Sequence, residues 1–126
     1  MITELDADIR LEHAFLYVRD LDRALAFYAT LLPGWGVRWD GRREGQRWVH
    51  FGAPGEGQPS YLSLCEGSGA PNGEHLGFTS RDVNALVARL GAAGIRPTDT
   101  AEDSRYRRVY FEDPDGHELE FVEKRG

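Results

Sequence analysis

Apolar residues recur at the spacing of an amphipathic helix in two stretches of the chain, one in each half. Positions i, i+3, i+4 and i+7 of such a stripe share one helix face, which packs on a core. The stripes comprise Leu21, Ala24, Leu25, Tyr28 and Leu32 in the first half, and Val83, Leu86, Val87 and Leu90 in the second. Asp20 and Asp82 stand at the N-cap positions, and Gly34 and Gly94 stand where a left-handed residue ends a helix. The pattern therefore predicts two helices.

Short strand-like segments accompany each helix and are separated by residues typical of turns. The predicted strands are 14–18, 36–39, 47–51 and 61–65 in the first half, and 76–79, 95–97, 106–111 and 118–123 in the second. Turns are predicted at 41–45, at 52–59 and at 113–116, where a Pro and a Gly set the backbone. The Gly-rich segment 66–73 is the predicted linker between the halves.

The two halves repeat one another. Glu12-His13 recurs as Glu74-His75, and Arg19-Asp20 recurs as Arg81-Asp82 with the same spacing between the dipeptides. Each half then reads as strand, helix and three strands. We predict an α+β fold of two βαβββ modules, about 9–66 and about 73–124, within a single domain over 1–126.

The charge and composition of the chain exclude several classes of protein. Its 126 residues include 21 acidic and 15 basic side chains, which give a net charge of −6 and argue against a nucleic-acid partner. No apolar stretch is long enough to cross a bilayer, so no membrane association is expected. Residues 1–10 carry no secretory pattern, and the predicted location is the cytoplasm. The single cysteine, Cys65, is predicted to lie in the core or to line a cavity, with no role in the chemistry.

Strand alternation places three possible metal ligands on one side of the two sheets. If Leu119 and Phe121 face the helices, Glu120 faces away from them, and the same alternation turns His13 and His75 away from the helices. Two imidazoles and one carboxylate form a facial triad that leaves open positions on a divalent metal. Taken singly, each of these side chains is more often solvated or a satisfied core residue. The equivalent places of His13 and His75 in the repeat favour a shared site.

Three segments carry a resemblance to a known family. Residues 12–28 (EHAFLYVRDLDRALAFY), 74–78 (EHLGF) and 109–120 (VYFEDPDGHELE) are similar to the vicinal oxygen chelate superfamily. That group includes glyoxalase I, extradiol dioxygenases, fosfomycin-resistance enzymes and bleomycin-binding proteins. The resemblance implies curved mixed sheets around a metal-site cavity with the helices outside. It assigns the metal ligands to His13, His75 and Glu120.

One departure from the family pattern separates its members. The fourth ligand that glyoxalase I uses falls on Ser63, and serine is a poor ligand for a divalent ion, which disfavours glyoxalase I activity. Extradiol dioxygenases and fosfomycin transferases both use two His and one Glu. The dioxygenase signature is met from Val109 to Glu120, with Tyr110 as the residue that contacts substrate, but its upstream His is absent. Against the fosfomycin enzymes stands Phe15, where a polar catalytic residue is expected.

Further residues are candidates for substrate binding and proton transfer. Arg108 shares a face with Tyr110, and its guanidinium suits a carboxylate or phosphonate, although a solvated arginine is as common. His50 is a candidate acid–base group. His117 follows the 113–116 turn and is expected in solvent. An aromatic surface for a planar ligand, or plain core, is predicted from Trp35, Trp39 and Trp48 with Phe15 and Tyr61.

These observations support two classes of function. The first is a metal-dependent enzyme with Fe(II) or Mn(II), or with Zn(II), Ni(II) or Co(II), acting on a small-molecule substrate with chelating oxygens. Within it, dioxygenase chemistry is preferred narrowly over a glyoxalase-like lyase or isomerase and a fosfomycin-type thiol transferase. The second is a bleomycin-resistance-type drug-binding protein, which the acidic charge suits. The family resemblance also implies a homodimer, with the site formed within one chain or between two.

Overall fold

The protein folds as two βαβββ modules that follow one another along the chain. The computed structural model describes residues 12–54, 60–67 and 75–125. The first module contains β1 (His13–Val18), α1 (Leu21–Leu31), β2 (Gly36–Arg43), β3 (Gln46–Gly52) and β4 (Tyr61–Glu66). The second contains β5 (His75–Thr79), α2 (Val83–Ala92), β6 (Asp99–Glu102), β7 (Tyr106–Glu112) and β8 (Glu118–Lys124). The predicted α+β fold of two modules is confirmed.

Each module forms one four-stranded mixed sheet, and the two sheets have the same topology. The strand orders are β1-β4-β3-β2 and β5-β8-β7-β6, and the first strand of each sheet runs parallel to the last strand of its module. Phe15 pairs with Ser63 in the first sheet, and Gly77 pairs with Glu120 in the second. Ser63 and Glu120 therefore occupy equivalent positions, as the repeat predicts.

Carboxylates hold the N-terminus of each helix in the same way. The side chains of Asp20 and Asp82 accept the backbone N–H of the third residue of α1 and α2, which confirms both predicted N-caps. A second carboxylate comes from the last strand of the same module. Glu66 accepts the first N–H of α1 at 2.9 Å, and Glu123 accepts the first N–H of α2 at 2.7 Å. Two unpaired helical N–H groups are thereby satisfied at each helix.

Two local predictions are wrong. Residues 95–97 form no strand, because the N–H of Ile95 donates to Leu90 around Gly94, whose φ of +83° closes a Schellman-type helix end. The strand starts later, at Asp99. The predicted turn 41–45 shortens to Glu44 and Gly45, since the β2–β3 ladder continues to its last residues.

The core lies between the helices and one side of each sheet, and it is continuous across the two modules. Leu119 and Phe121 are buried, which confirms the predicted alternation of β8. Cys65 is fully buried as well, and burial raises the pKa of its thiol. Trp35 packs between the modules against Phe51 and Phe78, and so belongs to the core and not to a ligand surface. Neither helix within the described ranges is long and apolar enough to cross a membrane.

A buried polar junction joins the first module to the β7–β8 turn. Tyr28 of α1 donates a 2.6 Å hydrogen bond to Asp113, and Asp115 accepts the backbone N–H of Arg19 at 3.0 Å. His117 is fully buried, with Nε2 at 2.9 Å from the carbonyl oxygen of Tyr17. Its predicted position in solvent is therefore wrong, because the turn that carries it packs against the other module.

The helices also contact one another across this junction. Arg89 of α2 donates to the backbone carbonyls of Thr30 and Leu31 at the C-terminal end of α1. These carbonyls lack partners inside their own helix, and a guanidinium complements the negative end of the helix dipole. The junction and the shared core fix the orientation of the two modules relative to each other.

Candidate metal centre

His75 lies on the open side of the second sheet between two carboxylates. Its Nδ1 is 2.6 Å from Glu118 Oε1, and its Nε2 is 2.8 Å from Glu120 Oε1. The ring is half exposed, whereas the Glu120 side chain is only 15% exposed. The hydrogen bond to Glu120, followed by that to Glu118, raises the pKa of His75 against the opposing effect of partial burial. Two of the three predicted ligands are thus in direct contact.

Arg108 lies beside this pair, on β7. Its Nε is 3.0 Å from Glu120 Oε2, and its guanidinium stacks over the ring of Tyr106 at 4.8 Å. The strand β7 lies between β6 and β8, so Arg108 projects from an interior strand of the sheet. The guanidinium also lies 3.7 Å from Asp103 Oδ2, so two carboxylates share its positive charge.

His13 occupies the equivalent position on the first sheet. Its Nδ1 is 3.0 Å from Glu12 Oε1, and its ring stacks on Tyr61 with 4.8 Å between centroids and 15° between planes. The hydroxyl of Tyr61 donates to the same Glu12 oxygen at 3.0 Å. These hydrogen bonds, to Tyr61 first and His13 second, lower the pKa of Glu12.

One chain does not bring the three predicted ligands together. His75 and Glu120 are adjacent, but the described residues contain no group of three or more His, Cys, Asp or Glu side chains arranged to hold a metal ion. The reason is the junction, which joins the modules through their helices and the β7–β8 turn. The open side of each sheet, where His13 and His75 lie, takes no part in it.

The residues nevertheless fit a divalent metal ion. Each candidate imidazole has a carboxylate on Nδ1, the arrangement that orients metal-binding histidines and leaves Nε2 for the ion. His75 Nε2 and Glu120 Oε1 are 2.8 Å apart, a hydrogen-bond distance, so an ion would take the place of the proton between them. Ser63 is buried and offers no fourth carboxylate.

Tyr110 and His50 also take equivalent places in the two sheets. Tyr110 pairs with Glu120, and its ring lies 6.4 Å from that of His75. His50 pairs with Ser63 in the first sheet and therefore lies on the same side of that sheet as His13. Partial burial lowers the pKa of His50, with smaller effects from the positive charges of His13 and Arg43. His50 is therefore a neutral imidazole near neutral pH.

Aromatic rings cover the open side of the first sheet. His50 lies 4.9 Å from Tyr61 and 5.2 Å from Trp39, which extends the stack that begins at His13. We call His13, Tyr61, His50 and Trp39 the aromatic row. Beside it, Phe15 contacts Trp48 and Tyr17, at 5.2 and 4.7 Å. Trp39, Trp48, Phe15 and Tyr61 thus lie on one surface, as predicted.

Sequence reasoning missed two carboxylates of the site. Glu118 faces the same side as Glu120 by strand alternation, and this signal was sufficient to include it. Glu12 lies outside any strand, and its role depends on the hydroxyl of Tyr61, which is distant in sequence. Only the folded sheet brings these groups together.

Comparison with known proteins agrees with this geometry. The sequence model of the Glyoxalase/Bleomycin resistance protein/Dioxygenase superfamily matches residues 10–121. The chain belongs to this superfamily. The resemblance found in the sequence is confirmed, and the superfamily includes enzymes as well as drug-binding proteins. No curated protein sequence matches the chain.

Solved structures share the fold over nearly the whole chain. The trypanothione-dependent glyoxalase I of Leishmania major is 25% identical with a TM-score of 0.74, over 92% of this chain and 87% of that one. The antibiotic-binding protein TnmS3 from Streptomyces is 24% identical with a TM-score of 0.77, over 94% and 98%. The fosfomycin-resistance protein FosX of Listeria monocytogenes, a complex with Mn(II), is 21% identical with a TM-score of 0.72, over 89% and 90%. The superfamily fold thus accommodates a divalent metal and small-molecule ligands.

Proposed function

We propose that this superfamily member is a metal-dependent enzyme whose divalent ion is bound by His13, His75 and Glu120. The observation that carries the proposal is the His75–Glu120 pair, with Nδ1 of the ring already held by Glu118. The equivalent His13, with Glu12 on its Nδ1, supplies the third ligand. Fe(II) or Mn(II) suits this mixed set of imidazole and carboxylate best, and Zn(II), Ni(II) and Co(II) are the alternatives.

We propose further that the site forms between two copies of the chain. The junction holds the two modules so that the open sides of their sheets are not joined within one chain. A homodimer that pairs the first module of one copy with the second module of the other would bring His13 to His75 and Glu120. The two-fold symmetry of such a dimer would generate two equivalent sites.

The proposed activity is a dioxygenase-type reaction on a small substrate with chelating oxygens. The bound ion would act as a Lewis acid towards the substrate oxygens and provide an open position for dioxygen. Arg108 would hold an anionic group of the substrate next to Glu120. Tyr110 and the neutral His50 would face each other across the site, where each could exchange a proton with the substrate. Because the hydroxyl of Ser63 is buried, it would not add a fourth ligand to the three proposed ones.

Metal analysis of protein purified without chelators tests the proposal. We expect about one divalent ion per chain, and loss of that ion in His75→Ala, with Glu102→Ala on the helix side of the same sheet as a control. Oxygen uptake with a panel of catechols then separates dioxygenase from lyase, isomerase and transferase chemistry. A protein that neither contains nor takes up a divalent ion would exclude the metal-dependent enzyme.

A second candidate function is the binding of a planar drug or metabolite without catalysis. The aromatic row, together with Phe15 and Trp48, favours it, because flat apolar ligands stack on such rings. The net charge of −6 would attract a cationic ligand. Tight binding of planar cationic compounds to metal-free protein, unaffected by His75→Ala, would favour this function over the enzyme.

A further inference from the structure

The two candidate metal-binding histidines have a common feature that the ligand set does not require. In each, the nitrogen Nδ1 lies against a glutamate of the same module: Glu12 for His13 at 3.0 Å, and Glu118 for His75 at 2.6 Å. The two glutamates come from different places in the repeat. Glu12 immediately precedes β1, whereas Glu118 begins β8. Glutamates at two different positions of the repeat thus make the same contact with Nδ1.

We propose that Glu12 and Glu118 are positioning residues, which hold His13 and His75 in the tautomer with hydrogen on Nδ1 and present Nε2 to the metal. A neutral imidazole carries one hydrogen, and the hydrogen bond made by one nitrogen decides which nitrogen is left to bind an ion. This inference rests on the proposed function for the identity of the ion. The hydrogen bonds on which it rests lie within one chain and involve no metal ion.

The surroundings of His75 favour the Nδ1–H form, although both nitrogens face carboxylates. Glu120 divides its charge, because its second oxygen already accepts from Arg108 at 3.0 Å. Glu118 makes the shorter contact, 2.6 Å against 2.8 Å. When the ring is neutral, its single hydrogen therefore belongs on the Glu118 side, and the hydrogen bond to Glu120 is made only by the protonated ring. In the neutral form Nε2 is the nitrogen left to bind an ion.

The surroundings of His13 also favour the Nδ1–H form, although the contacting groups differ. Glu12 is highly exposed, and an isolated side chain there would sample many rotamers. The hydroxyl of Tyr61 donates to the Glu12 oxygen that contacts His13, and the Tyr61 ring stacks on the imidazole. Tyr61 therefore fixes both the carboxylate and the plane of the ring. In the second sheet Glu118 itself occupies the position equivalent to Tyr61, opposite His75.

Nitrogen-15 NMR of the full-length, metal-free protein tests the assignment directly. Long-range proton–nitrogen spectra of labelled histidine, recorded where the rings are neutral, distinguish the two tautomers. We expect His13 and His75 in the Nδ1–H form, and we expect Glu118→Ala to transfer the hydrogen of His75 to Nε2, where Glu120 accepts it. Glu118→Gln retains an acceptor oxygen and should keep the native tautomer, and Glu102→Ala, on the helix side of the same sheet, should change nothing. A native Nε2–H form, or a tautomer unchanged in Glu118→Ala, would overturn the inference.

Metal affinity provides the second readout. Loss of such a partner typically weakens binding by about 10–100-fold, so we expect this loss of Mn(II) affinity in Glu118→Ala and in Glu12→Ala. Tyr61→Phe should lose less Mn(II) affinity, since the carboxylate of Glu12 remains. Unchanged affinity in both alanine variants would refute the positioning role. If the native protein binds no metal ion, the proposed function fails, and the tautomers alone decide whether Glu12 and Glu118 orient the rings.

Discussion

The hydroxyl of Tyr28 donates a 2.6 Å hydrogen bond to Asp113, and this contact joins the two modules inside the protein. Burial and the nearby Asp113 carboxylate raise the pKa of Tyr28, so its hydroxyl remains a donor throughout the working pH range. Tyr28→Phe removes the donor and leaves a buried carboxylate oxygen without it. We expect a loss of about 1–3 kcal/mol in the free energy of unfolding, measured by urea denaturation.

Tyr106→Phe is the control for this prediction, because that half-buried ring lies at the start of β7 and, among the described residues, its hydroxyl makes no hydrogen bond to the other module. The control should change the unfolding free energy by much less. Equal losses in the two variants would show that the contact between Tyr28 and Asp113 contributes nothing specific.

The two strand carboxylates at the helix N-termini should contribute equally to stability. Glu66→Ala and Glu123→Ala each remove an acceptor from the first N–H of a helix, and each should lower the unfolding free energy by about 1 kcal/mol. Because the sites lie in different modules, the double variant should show the sum. Thermal and urea unfolding measure both effects. A loss confined to one variant would contradict the equivalence of the two helix ends.

A mixing experiment determines whether the metal site lies between two chains. His13→Ala and His75→Ala should each abolish metal binding in homodimers. After refolding an equal mixture, about a quarter of the native metal capacity should return, because half of the dimers are then mixed and each holds one intact site. Equilibrium dialysis measures this recovery. Without any recovery, despite subunit exchange shown by mass spectrometry, the site must lie within one chain.

The lowered pKa of His50 predicts a specific dependence of stability on pH. The unfolded chain binds this proton at a pKa of about 6.5, and the folded protein binds it only at lower pH. The contribution of neutral His50 is therefore fully present above about pH 6.5 and decreases as the pH falls through the folded-state pKa. His50→Phe keeps a ring in the aromatic row without the titration. From pH 8 to 5 the native protein should lose stability relative to His50→Phe, and a constant difference between the two proteins would contradict the prediction.

Local patterns in the sequence predicted the helices, their caps and the facing of β8, because each depends on neighbours a few residues away. The repeat also predicted the equivalence of Ser63 and Glu120, which the strand register confirms. The burial of His117 could not be predicted, since it depends on contact between modules that are far apart in sequence. The ligand set of His13, His75 and Glu120 stays a prediction. Within one chain, His75 and Glu120 are in contact.

The error at residues 95–97 has a local cause instead. A helix end formed around Gly94 takes the N–H of Ile95 before a strand can begin. The predicted turn 52–59 and linker 66–73 fall largely outside the described residues.

The paired carboxylates that cap α1 and α2 bear on how this chain arose. On the helix side, both halves retain the same device, with Asp20 and Glu66 in one and Asp82 and Glu123 in the other. On the open side the two histidines, His13 and His75, are retained, whereas equivalent positions on the last strands have different chemistry: Tyr61 against Glu118, and Ser63 against Glu120. Such a division is what duplication of an ancestral half-length gene followed by divergence would produce. Selection for foldability would have preserved one side of each half, while the other was free to acquire a new activity.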